Sequence, residues 1–88
     1  MKYRVSWDPE AFRGLLRQWN AAGNPDAATR AFDAIENVLS TDAHRCGESR
    51  DGNRRILLVP PIGVIFEARP DMGEVLILEA WLIARRSA

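Results

Sequence analysis

The sequence has few of the residue types that most often carry chemistry. Its single cysteine, Cys46, excludes an intrachain disulfide, and a thiol beside Gly47 with no base fixed next to it is not a nucleophile. Its single histidine, His44, stands two residues from Cys46, and those two side chains alone make no metal site. No phosphate-cradling glycine loop is present, so no metal or other cofactor is expected. Charge of one sign is missing too. Twelve basic residues balance twelve acidic ones, so no global field draws in nucleic acid, and any such contact must come from local clusters. No apolar run reaches the roughly 18 residues that a membrane span needs. Met1-Lys2-Tyr3-Arg4-Val5 leads into no apolar stretch of the signal-peptide kind. A cytoplasmic protein without membrane contact is the expectation.

What is present reads as one globular domain over residues 1–88. Hydrophobic residues make up 47% and charged residues 27%, a balance that can fold around one core. Tyr3, Val5 and Trp7 alternate with Lys2, Arg4 and Ser6, the period of a half-buried strand. Asp8-Pro9-Glu10 then starts a helix, with Asp8 as cap, Pro9 at the first turn and Glu10 at the positive end of the dipole. Phe12, Leu15, Leu16 and Trp19 give that helix an apolar face. Gly23-Asn24-Pro25-Asp26 breaks it and starts a second, which buries Ala28, Ala31, Phe32, Ile35, Val38 and Leu39.

Thr41 to Asn53 is polar and aperiodic, and reads as a long loop. Three strands follow: Arg55 to Val59, ended by Pro60-Pro61; Ile62 to Arg69; and Glu74 to Ile83, after the turn Pro70-Asp71-Met72-Gly73. The predicted fold is α+β, in the order β-α-α-β-β-β. It has a mostly antiparallel sheet with a C-terminal meander and both helices on one face.

Alternation assigns the strand faces. Glu67 and Glu79 must look outward, because unpaired carboxylates are rarely buried. That choice places Ile65, Ile77, Trp81 and Arg85 on the open face, and the same logic adds Arg55 and Leu57. Leu57, Ile65, Ile77 and Trp81 then form an apolar patch in the open. Either Thr41 to Asn53 folds over Trp81, or the patch is a partner site.

The opening Tyr3-Arg4-Val5-Ser6-Trp7-Asp8-Pro9-Glu10-Ala11 resembles the RelE/ParE family of bacterial toxins. So do Asn53-Arg54-Arg55-Ile56-Leu57, leading into Gly63-Val64-Ile65-Phe66-Glu67-Ala68, and Arg85-Arg86 after the last strand. The resemblance implies the toxin of a type II toxin–antitoxin module, with an antitoxin protein as partner. Its branches imply either endoribonuclease action on mRNA at the ribosome or inhibition of DNA gyrase. A non-catalytic binding protein on the same scaffold, such as a diverged homodimer, is the alternative. The chain departs from the ribonuclease branch at Gly63, where an arginine is usual. It also ends in Arg85-Arg86-Ser87-Ala88, without the usual tyrosine or histidine.

For RNA cleavage the chemistry needs a base, a cation for the phosphorane and an acid. Glu67 is the candidate base, and Arg55 and Arg85 the candidate phosphate holders, since guanidinium offers paired donors. His44 is fixed to none of them, so no acid is evident. Arg50, Arg54 and Arg86 are candidate RNA-binding residues. The bland alternative is a cross-strand Glu67–Arg55 ion pair and a solvated basic loop.

Overall fold

The computed structural model describes residues 2–20, 25–43, 45–49 and 52–83. Strand β1 (Arg4–Trp7) leads into helix α1 (Pro9–Asn20), then α2 (Pro25–Asp42), β2 (Glu48–Ser49), β3 (Arg54–Val59), β4 (Ile62–Arg69) and β5 (Glu74–Leu82). The helix start at Asp8 forms as its sequence requires. The Asp8 carboxylate accepts hydrogen bonds from the N–H groups of Glu10 (3.1 Å) and Ala11 (3.2 Å).

The strands form one sheet in the order β1-β5-β4-β3-β2. Only β1, which pairs with β5, runs parallel to its neighbour. Two tight turns build the meander. Pro60 and Pro61, joined by a cis peptide bond, link β3 to β4. A single 3-10 turn (Pro70–Met72) links β4 to β5 and closes on Gly73, whose left-handed φ of 63° suits glycine.

The predicted loop from Thr41 to Asn53 is shorter than its sequence suggests. Thr41 and Asp42 complete α2, and Glu48–Ser49 add a fifth, edge strand beside β3. Gly47 makes this approach possible: its φ is positive, and a Cβ there would collide with the Ile56 carbonyl oxygen. The described part of the segment thus joins the sheet edge, separated from β5 by two strands, rather than crossing the open face to Trp81.

Both helices cover one face of the sheet. Leu15 from α1 and Ala31, Ile35 and Leu39 from α2 meet Ile62, Val64, Phe66, Val75 and Ile77 in a single core. The apolar stripe of α1 divides, however. Leu15 is fully buried, but Phe12 and Leu16 keep 38% and 41% of their surface exposed. Phe12 instead meets Trp7 edge-on, and Trp7 stacks on Phe32 of α2 with ring centres 5.2 Å apart.

One irregularity in β5 decides which of its residues face the helices. Phe66 pairs with Ile77, yet its neighbour Ile65 pairs with Glu79, so Leu78 is an extra residue in a β-bulge. A bulge shifts the alternation by one. Before it, Val75 and Ile77 face the helices; after it, Ala80 and Leu82 do.

Candidate interaction surface on the open sheet face

The pairing registers order the open face into rows that cross the sheet. Leu58, Gly63 and Trp81 form the first row, on β3, β4 and β5. Glu48, Ile56, Ile65 and Glu79 form the second, which reaches β2. Arg54, Glu67, Leu76 and Ser6 form the third, ending on β1, and Arg69, Glu74 and Arg4 the fourth. The first two rows have an apolar floor and the last two are dominated by charge. Leu58 is 55% exposed, and Ile56, Ile65 and Trp81 are half-buried.

Gly63 and Trp81 are a fitted pair. A Cβ on Gly63 would lie 2.6 Å from Cζ2, 2.7 Å from Cε2 and 2.9 Å from Nε1 of Trp81. The indole therefore occupies the space above the glycine, and no side chain of any kind can stand at position 63 without moving it. In exchange, a strand glycine with nothing of its own to pack is covered by an aromatic ring from the neighbouring strand.

At the charged end, Arg69 Nε donates to Glu67 Oε2 at 2.8 Å, an ion pair along one strand. Arg54 stands directly across from Glu67 on β3 and is exposed. A shallow cleft of about 200 Å³ opens where Ser49, Asn53, Arg54, Arg55, Ala68 and Pro70 meet. Among the described residues no cluster of three or more histidine, cysteine or carboxylate side chains has metal-binding geometry.

The strand order and both helices coincide with solved toxin structures. The ParDE toxin–antitoxin system of P. aeruginosa matches with a TM-score of 0.65 at 20% identity, over 94% of this chain and 98% of that one. The archaeal RelE–RelB complex from Pyrococcus horikoshii OT3 matches with a TM-score of 0.65 at 16% identity, over 98% and 100%. E. coli RelE bound to a RelB antitoxin peptide matches with a TM-score of 0.56 at 13% identity, over 98% and 87%. The chain has the RelE/ParE toxin fold. No protein-family model matches the sequence, and no curated protein matches it either.

Within this RelE/ParE fold the predicted site residues are dispersed. Glu67, Ile65 and Trp81 lie on the open face as expected. Arg55 does not: it pairs with Phe66 and so shares the helix-side face. Its guanidinium is occupied there, donating to the carbonyls of Cys46 (2.8 Å) and Gly47 (3.2 Å) and to Ser49 Oγ (3.2 Å). Arg55 thus clasps the segment before β3 and is not paired with Glu67. Leu57, opposite Val64, also faces the helices and packs against the core. Ile77 is fully buried, because the bulge at Leu78 reverses the parity that Glu79 predicts for the first half of β5.

Arg50, Arg85, Arg86 and His44 lie outside the described residues. Cys46 is unsuited to nucleophilic chemistry. Burial pushes its thiol up from the ordinary range, Arg55 opposing only in part, and the Sγ–H donates to the Ala43 carbonyl at 3.7 Å. The open-face residues that sequence reasoning missed include Glu48, Ile56, Leu58 and Leu76. In β3 each parity set carries one arginine and apolar residues, so only the register distinguishes them.

Proposed function

We propose that this protein is the toxin of a type II toxin–antitoxin module, neutralised by an antitoxin segment seated on the open sheet face, and that it acts by holding a protein target rather than by cutting RNA. The fold supports the first half. Two of its structural neighbours are named as complexes of a RelE toxin with RelB or a RelB peptide, and a third as a ParDE system. The exposed apolar floor of Ile56, Leu58, Ile65 and Trp81 is the surface such a segment would cover.

The Gly63–Trp81 pair carries the second half. The resemblance puts a ribonuclease arginine at the position that is Gly63 here, and the indole fills the space such a side chain would need. A cation to stabilise the phosphorane is then missing from that place on the face. Arg55, the candidate phosphate holder on β3, points to the other side of the sheet and is tied up by loop oxygens, while Arg54 and Arg69 lie two and three rows from Gly63. What remains is a partly covered carboxylate paired to Arg69 and faced by Arg54, two rows away from a tryptophan suited to protein contact. Of the targets that the resemblance implies, DNA gyrase is the one reached by binding alone.

Expression of the chain by itself in a bacterial host tests the proposal. Growth arrest with ribosome-bound mRNA left uncut, and inhibition of gyrase supercoiling by the purified protein, are the expected results. Unimpaired growth would refute the toxin assignment. New ends in ribosome-bound mRNA would instead establish RNA cleavage.

A further inference from the structure

The second row of the open face has a carboxylate at each end of two isoleucines: Glu48, Ile56, Ile65, Glu79. Both glutamates are exposed, and among the described residues neither belongs to an ion pair. Strands lie about 4.8 Å apart, so the two glutamate backbones stand roughly 14 Å from each other across the sheet. An α-helix with its side chains is about 10–12 Å wide. The space between the carboxylates is therefore one helix across, floored by Ile56 and Ile65, continued on one side by Leu58 and Trp81 and bounded on the other by Arg54 and Glu67.

From this arrangement we infer that the open face selects an amphipathic helix whose apolar stripe is bordered on both sides by lysine or arginine, laid along the strands between Glu48 and Glu79. The inference rests on the proposed docking of an antitoxin on this face and specifies the segment's chemistry. Lysine and arginine keep their apolar stems along the floor while the cationic ends reach outward, which places charge where the two carboxylates stand. A nucleic-acid strand is disfavoured in the same place, because its phosphates would meet both glutamates. Attraction between whole molecules is not the source of selectivity, since this chain carries no net charge.

Two synthetic peptides of about 18 residues, long enough to hold a helix on a surface, test this directly. Both carry the same leucine–alanine stripe; one is flanked by lysine and its twin by glutamate. Calorimetric titration into the full chain is expected to give a Kd about tenfold lower for the lysine peptide at low salt, narrowing as ionic strength rises. The double variant Glu48→Gln/Glu79→Gln should lose most of that preference, whereas Glu10→Gln/Asp26→Asn, on the helices, should keep it. All four positions are exposed, so the folds should survive, and circular dichroism checks that.

Equal affinity for the two peptides would overturn the inference. So would a preference unchanged in Glu48→Gln/Glu79→Gln, no binding of either peptide, or tighter binding of a single-stranded RNA of similar length. None of these results would touch growth arrest by the wild-type chain, so failure of the charge selection is distinguishable from failure of the toxin proposal.

Discussion

The two faces of β4 divide two tasks between alternate residues. Ile62, Val64 and Phe66 are completely buried under the helices, while Ile65 and Glu67, between and beside them, stay partly open to solvent. Hydrophobicity does not separate the sets, since Ile65 is as apolar as Ile62. Coverage does: α1 and α2 lie on one side and no described element lies on the other. The comparison teaches that substitutions one residue apart should act on different observables, stability on the covered side and association on the open side.

The sharpest test of that contrast is Phe66→Ala. Phe66 is among the largest fully buried side chains, so truncation should leave a cavity and cost about 3–5 kcal/mol in denaturant unfolding. In a domain this small the loss takes most of the stability. Ile77→Ala should behave in the same way, at about 2–5 kcal/mol. An Ile77→Ala variant as stable as wild type would return that residue to the open face and undo the bulge at Leu78.

Trp81→Ala is the counterpart on the open side. It should weaken association with the antitoxin segment by about 2 kcal/mol or more if the indole anchors that contact. Its cost to folding should be well below that of Phe66→Ala, because Trp81 covers Gly63 and not the core. Paired measurements of unfolding and binding on the two variants read the contrast directly. Equal destabilisation would mean that the open face is structural. Gly63→Arg should mimic Trp81→Ala in binding, since any side chain at position 63 displaces the ring.

Arg55→Ala separates two roles for one arginine. As a clasp on Cys46, Gly47 and Ser49, Arg55 should contribute about 1–3 kcal/mol, because its loss leaves carbonyls without their donors. Hydrogen exchange should speed up at the β2–β3 pairing, and growth arrest should persist. Arrest abolished in a variant with undisturbed β2 exchange would give Arg55 a functional role instead.

The sequence made the element order apart from β2, the helix start at Asp8 and the extents of β4 and β5 legible, because capping residues, prolines and periodicity each act locally. The faces of β3 and β5 were not legible. Glu79 correctly signals its own outward direction, but carrying its parity back to Ile77 assumes an unbroken alternation that Leu78 interrupts. In β3, adjacent arginines at 54 and 55 make both parities chemically acceptable. The deciding feature is distant, the carbonyls of Cys46 and Gly47 that receive the Arg55 guanidinium. β2 was hidden for a similar reason: two polar residues form a strand only because Gly47 lets the chain approach Ile56.

The smallest expected effect belongs to Glu67→Gln, and it decides most about chemistry. Glu67 pairs with Arg69 at 2.8 Å, but the two side chains keep 24% and 46% of their surface exposed. Solvent screens such a pair, so its removal should cost no more than about 1 kcal/mol. For a domain of this size that is a fall in Tm of at most about 8 °C. Glutamine keeps the shape and one acceptor, so the sheet should be unchanged. If the protein acts by binding, growth arrest and gyrase inhibition should match wild type, because no proton transfer runs through this carboxylate. If Glu67 is a general base, the same substitution should lower activity by at least about a hundredfold with the fold intact. Growth arrest lost on that single change would restore the ribonuclease assignment, with Arg54 and Arg69 as the cations on its own face.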